Sequence, residues 1–359
     1  MIFRRGLLTV LLFVASGKTA WSASGTEGAS FLDIPVGGAP AALGSAYTAQ
    51  ATDVYAPVWN PAGLGYLHSV EFTGTHLDYI PPVYYEHAGL VVPVGSPDEN
   101  GSRRGGLGAS IQYLGTGSLD ARDDQGNSIG SFTSAFAAYS LAYGERITDT
   151  ISLGATAKLI TEKISDASAS AYAADFGLLY KPSAKFSLGA VVANIGSAIK
   201  FVDQSDPLPL AGRLGATYQL YPEWDISAES VYRETGLISG SFGLEWRCGE
   251  YLSFRGGYNT AHTKELGGGS GFTAGVGFFF WGQEFSYAWV PMGDLGQTNY
   301  FSLVFRWDTK ARPERPRLKK AEDDESFGDR RGDDFRPPDE TRYENIYDFL
   351  NENEKKSIN

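Results

Sequence analysis

Cysteine is nearly missing from this chain: Cys248 is the only one. That excludes an intramolecular disulfide framework and a cysteine metal cluster, and it suits an oxidising compartment, where spare thiols invite wrong pairing. Histidine is scarce as well, limited to His68, His76, His87 and His262. Long apolar runs are absent after the first two dozen residues, where no stretch of about 18 apolar residues occurs, and the mean hydropathy is −0.21. No spanning helix is therefore expected, but spanning strands escape this test because only alternate residues meet lipid. Positive charge is in deficit, with 30 Lys and Arg against 42 Asp and Glu and a net charge of −12. Nucleic-acid binding wants a basic surface and is excluded.

Glycine and aromatics are abundant instead: 44 Gly, 20 Tyr and 21 Phe in 359 residues. That length suits two soluble domains or one large β-barrel. At the start, Arg4-Arg5 makes a positive n-region and Gly6 to Ala15 an apolar h-region. Ala20-Trp21-Ser22, with Ala23 as a second choice, offers small residues at the cleavage offsets. Residues 1–22 read as a secretory signal peptide, so the mature chain leaves the cytoplasm.

From Val70 onward the pattern has period two. Ile151, Leu153, Ala155, Ala157 and Leu159 alternate with Ser152, Gly154, Thr156 and Lys158. Phe242, Leu244 and Trp246 interleave with Ser241, Gly243, Glu245 and Arg247, and Phe301, Leu303, Phe305 and Trp307 with Ser302, Val304 and Arg306. This is strand alternation repeated with little interruption. A soluble sandwich would turn the large apolar face inward. Across the set, however, the polar face is mostly Gly, Ser and Thr with scattered charges, as a crowded, hydrated lumen requires. The apolar face carries aromatics at strand ends (Tyr172 and Tyr180, Trp224 and Tyr232), the girdle of a membrane barrel. The fold class expected is all-β: a transmembrane antiparallel β-barrel surrounded by outer-membrane lipid.

About fourteen strands are expected, an even number as bacterial barrels require. They fall near 69–79, 83–95, 105–115, 131–143, 149–162, 170–181, 185–195, 210–220, 223–233, 238–247, 250–259, 271–281, 284–290 and 299–307. Tight turns such as Pro182 to Ala184, Tyr221-Pro222 and Gly282-Gln283 alternate with longer loops such as Gly115 to Gly130, Gly196 to Pro209 and Asn259 to Ser270. Short periplasmic turns and long outer loops put both termini in the periplasm. Ile80-Pro81-Pro82, short where a loop belongs, and Ser96 to Arg104, long where a turn belongs, break the rule.

Two segments differ from the strands. Residues 23–67 are compact and rich in small residues, with a short helix expected over Ala41 to Ala51 and a capped turn at Asn60-Pro61. They read as a hatch in the lumen of a barrel formed by residues 68–307. After Trp307, residues 308–359 mix dense charge with Pro313, Pro316, Pro337 and Pro338 and cannot bury enough apolar surface to fold alone. They read as a charged, disordered periplasmic tail.

The hatch residues Gly37, Gly38, Gly44, Asp53, Trp59, Asn60, Pro61, Ala62, Gly63 and Leu64 resemble the start of the PorV/PorQ family of outer-membrane proteins. The Asn-Pro-Ala-Gly-Leu element also resembles the hatch of the wider FadL-like barrels. The resemblance implies a fourteen-stranded barrel with its N-terminal hatch in the lumen. For function it implies, first, export in a type IX secretion-like system, with secretion-machinery proteins or exported cargo as partners. The alternative is a FadL-like passive channel for hydrophobic small molecules, whose passage depends on hatch movement and a lateral opening. A structural or surface-interaction barrel, with the loops at Gly115–Gly130 and Asn259–Ser270 as contact surfaces, is a third reading.

No cofactor, metal or catalytic activity is expected. A hairpin turning at Pro81-Pro82 would pair His76 with His87 across adjacent strands on one face, but no Asp/Ser constellation accompanies them. The charges expected in the lumen are Lys158, Asp175, Asp225, Glu229, Glu245, Arg247, Arg255, Glu284 and Arg306. Burying them is costly unless they are paired or hydrated. They are therefore expected to pair and anchor the hatch, with solute selection as the competing role.

Overall fold

The computed structural model describes residues 27–97, 103–201, 204–266 and 269–307. The expected signal peptide, 1–22, and charged tail, 308–359, lie outside the described residues.

The alternating segments become β1 (Val70–Asp78), β2 (Val83–Val94), β3 (Gly105–Thr116), β4 (Leu119–Arg122), β5 (Ser128–Phe132) and β6 (Ser134–Arg146). The next six are β7 (Ile151–Ile164), β8 (Ala167–Ser183), β9 (Phe186–Gly196), β10 (Ile199–Phe201), β11 (Gln204–Asp206) and β12 (Ala211–Tyr221). The last are β13 (Trp224–Arg233), β14 (Ile238–Cys248), β15 (Leu252–Asn259), β16 (Phe272–Phe280), β17 (Gln283–Pro291) and β18 (Gln297–Trp307). Fourteen of them close into one antiparallel barrel, sealed where β1 pairs with β18. The other four form two separate hairpins, β4–β5 and β10–β11, within connections on one rim.

The two faces of the wall follow the alternation. On β7, Ser152, Thr156 and Lys158 are buried against the interior, while Leu153 and Leu159 look out. Large apolar side chains such as Leu141, Tyr172 and Phe242 are exposed all round the outside. In water such a surface would aggregate; facing lipid it is the apolar band of an outer-membrane barrel. β1 begins and β18 ends at the rim carrying most of the short turns, so both strands open on the periplasmic side. One of those turns, Trp281-Gly282, has φ of 50° and 81°, the doubly positive pair that matches strand twist in a two-residue hairpin.

Two expectations are corrected by local geometry. His76 and His87 do not pair. His76 lies opposite Glu86, and His87 opposite Thr75. Five residues separate the last paired positions, Asp78 and Tyr84, and this odd spacing shifts the register by one, which sends the two rings to opposite faces. His76 faces outward between Glu86 and Asp78, at 2.7 and 3.2 Å, whereas His87 is buried in the lumen. The hatch helix is also shorter and earlier than expected, Gly38–Ala42. It stops because Gly44 and Ser45 adopt positive φ, 63° and 71°, a conformation that ends a helix.

One irregularity of the wall faces the lumen charges. The β8–β9 register shifts between Ala174 and Phe176, and Asn194 sits in the bulge at φ 64°.

Candidate functional site

The site is the lumen and the segment threaded through it. At the outer rim the Gly28 N–H donates to Pro207 O at 2.9 Å, in the connection between β11 and β12. Asp33 pairs with Arg233 at the outer end of β13. Phe31 and Leu32 are buried there in one cluster with Leu77, Tyr85, Leu114 and Ile160, and the Phe31 ring stacks on Phe136 with centroids 6.1 Å apart. At the inner rim the Tyr66 ring meets the cations of Arg146 and Lys181, at 5.5 and 4.8 Å.

Between these ends the segment is seated main chain against main chain. A β-carbon added at Gly144 would lie 2.1 Å from Pro61 O, one at Gly154 2.3 Å from Pro61 C, one at Gly189 2.5 Å from Thr48 O, and one at Gly257 2.1 Å from Gly44 N. No side chain fits at those distances. The small-residue lumen face is therefore a mould for the hatch backbone. Wall hydroxyls supply the hydrogen bonds that a sheet face cannot. Ser152 donates to Ala62 O at 2.6 Å, Thr156 to Pro57 O at 2.9 Å, and Ser187 to Ala49 O at 2.8 Å.

The hatch motif residues divide the remaining work. Gly37, at φ 93°, leaves room for the Tyr55 ring, which a β-carbon would approach to 2.7 Å. Gly38 N–H donates to Ser302 Oγ at 2.8 Å and Gly44 N–H to Thr273 Oγ1 at 3.1 Å. Trp59 Nε1 donates to Val36 O at 3.0 Å. Asn60 accepts from Ala62 N–H at 3.1 Å, capping the 3-10 turn Pro61–Tyr66, and donates to Thr48 O and Leu178 O at 3.0 and 3.2 Å. Gly63 packs on the Ala51 carbonyl, and Leu64 is fully buried over Gly106. Asp53 accepts from the Tyr47 hydroxyl and, at 3.0 Å, from Tyr55 N–H. Burial raises its carboxyl above the ordinary range, while those two hydrogen bonds pull the other way.

All the expected lumen charges face inward, and the structure sorts them into three groups. At the β9 bulge Lys158 pairs with Asp175 at 2.7 Å and donates to Asn194 Oδ1 at 2.8 Å, while Asn194 N–H donates to Asp175 Oδ1 at 2.8 Å. Near the inner rim the charges alternate in one belt. Asp225 pairs with Arg247, Arg247 with Glu245, Glu245 with Arg255, Arg255 with Glu284, and Glu284 with Arg306, all within 3.2 Å. Glu229 stands apart and touches the hatch itself, accepting from Tyr47 and Thr48 N–H at 2.9 and 2.8 Å.

Sequence reasoning missed further members, Glu71 and Arg213 among them. Glu71 ends the belt, 3.5 Å from Arg306, and accepts from Val54 N–H of the hatch at 3.1 Å; its place on the face shared with Thr73 and Thr75 was the available signal. Arg213, over the Trp59 ring at 5.4 Å, shares its face with Gly215.

No protein-family model matches the sequence, and no curated protein matches it. Solved structures match by fold. The toluene transporter TbuX of Ralstonia pickettii aligns with a TM-score of 0.50 at 14% identity, over 76% of this chain and 98% of that one. The toluene transporter TodX of Pseudomonas putida gives 0.51 at 11%, over 75% and 96%, and the CymD monoaromatic hydrocarbon channel 0.52 at 13%, over 76% and 98%. This chain shares their fold, a closed fourteen-stranded barrel with its N-terminal segment in the lumen. This overturns the export expectation drawn from the PorV/PorQ resemblance, since the matched barrels are transporters and channels for small aromatic molecules. The reason is physical. Asn60 to Leu64 serve the seating of the hatch in the wall, a demand of the fold that carries no information about cargo.

Proposed function

We propose that this FadL-like barrel is a passive outer-membrane channel for small hydrophobic molecules. The observation that carries the reading is the division of the lumen. Its outer half buries apolar side chains, including Leu77, Tyr85, Leu114, Phe136 and Ile160, while Asp225, Arg247, Glu245, Arg255, Glu284 and Arg306 gather in the belt near the inner rim. A lumen for ions or sugars would place polar groups along the route. An apolar lining, once Phe31 and Leu32 move off it, instead draws hydrocarbon-like solutes out of water. The fold shared with toluene transporters supports the same reading. Residues 23–67 act as the hatch that such solutes must displace, residues 68–307 as the wall, and the ion-pair belt holds the wall rigid while the hatch moves.

The test is uptake. Cells lacking their own channels for hydrophobic compounds are given the gene, and the initial rate of radiolabelled toluene uptake is measured. The rate rises above that of the empty vector. Equal rates sink the proposal.

A further inference from the structure

One patch of lumen wall is polar where its surroundings are apolar. His87 on β2 lies directly across from Gln112 on β3. Ser110, on the same face of β3, lies directly across from Ser140 on β6. All four are buried, with 2%, 1%, 9% and 3% exposure for His87, Gln112, Ser110 and Ser140. Both ring nitrogens of His87, both serine hydroxyls and Gln112 Oε1 have no hydrogen-bond partner. The one bond made is from Gln112 Nε2 to the Tyr85 hydroxyl, at 2.9 Å. Buried polar groups are nearly always paired, and leaving one unpaired costs more than a made hydrogen bond contributes. Several such atoms on one continuous patch form a donor–acceptor surface that lacks its partner.

The frame around the patch defines that partner. The Tyr55 ring of the hatch lies 6.2 Å from the His87 ring, and Leu114 and Ala138 continue the wall as buried apolar side chains. Hatch residues Val54 and Pro57 close over Gly89 and Gly108. Lys158, opposite Ser140, is neutralised by Asp175 at 2.7 Å and donates to Asn194. No free charge therefore faces the patch from β7. What remains is uncharged: hydroxyl groups and an imidazole that can donate, and an amide carbonyl and an imidazole nitrogen that can accept.

We propose that His87, Ser110, Gln112 and Ser140 form a binding site for neutral aromatic molecules bearing a hydroxyl group, the phenol class, reached when hatch residues 54–57 shift off the patch. The proposal rests on the channel reading and narrows it, from hydrocarbons in general to those able to hydrogen-bond. A site built to bond a hydroxyl discriminates strongly against the analogue without one, because its own groups are then left unpaired.

The experiment uses the full chain in phospholipid nanodiscs, with empty nanodiscs as the partition blank. Equilibrium binding of radiolabelled p-cresol and of toluene, which differ by one hydroxyl, is compared. Wild-type protein binds p-cresol saturably. In His87→Leu/Ser110→Ala the ratio of p-cresol to toluene affinity falls about tenfold, as expected for two lost hydrogen bonds. The thermal midpoint of that variant does not fall, because apolar groups replace unpaired polar ones. Gel-shift heat modifiability checks that the barrel has folded, and Ser140→Ala is a milder variant lowering the same ratio. Binding of toluene without saturable p-cresol binding overturns this inference alone. So does an unchanged ratio with a lowered midpoint, which would mean that the patch holds structural water only. Binding of neither compound takes down the channel reading together with it.

Discussion

Arg255 on β15 reaches across an intervening strand to Glu284 on β17, 2.8 Å away. It passes over Gly277 of β16, where an added β-carbon would lie 2.8 Å from Arg255 Nη1 and 2.5 Å from Ser253 Oγ. The missing side chain is the gap through which the charged belt crosses from one part of the wall to the next. A branched residue here forces the guanidinium aside and leaves buried charges unpaired.

Gly277→Val should therefore destabilise the barrel by roughly 3–5 kcal/mol, the usual cost of breaking one side of a buried ion pair. The urea midpoint, read by gel mobility, should drop clearly. Gly256→Ala, at a lipid-facing position with only Thr273 O at 4.0 Å, serves as the control and should leave the midpoint near wild type. Equal midpoints for the two variants would mean the belt adds nothing to stability.

Glu229 holds the hatch by two main-chain N–H groups. Hydrogen bonds to a charged group contribute about 1.5–3 kcal/mol each, so Glu229→Ala should loosen the Tyr47–Thr48 segment and raise single-channel conductance in planar bilayers. Glu229→Gln keeps one neutral acceptor and should fall between. Identical conductance in all three proteins would remove Glu229 from hatch anchoring.

A covalent lock tests whether passage requires hatch movement. A β-carbon at Gly38 lies 3.3 Å from Ser286 Cβ, close to the separation of about 3.5–4.5 Å found in disulfides. Gly38→Cys with Ser286→Cys, in a Cys248→Ser background, should block toluene uptake when oxidised and restore it on reduction. Uptake that persists in the oxidised form would show that solutes pass by another route.

The barrel was legible because alternation over strand after strand admits one architecture once its polar face is seen to be small rather than merely polar. Strand edges were displaced by a few residues, as at β6, expected over 131–143 and found over Ser134–Arg146. Register was not legible. One residue in the β1–β2 turn decides whether His76 meets His87 or turns to lipid, and composition does not encode that parity. Arg255 was recognisable as a lumen charge from its alternation with Phe254, and Glu245 lies directly across from it, yet its second partner, Glu284, lies two strands away, beyond any local pattern. Branch and cargo were hidden for another reason: Asn60 caps a turn and Leu64 fills a seat in any barrel that carries this plug.

The mould of glycines has a consequence for how the protein tolerates change. Where a wall glycine meets hatch main chain, as at Pro61 and Gly44, the contact does not depend on which hatch side chain stands there. The wall has no such freedom at Gly144, Gly154 or Gly257, where even a methyl group collides with hatch backbone atoms. At these positions the closure is written in the barrel as much as in the piece that closes it.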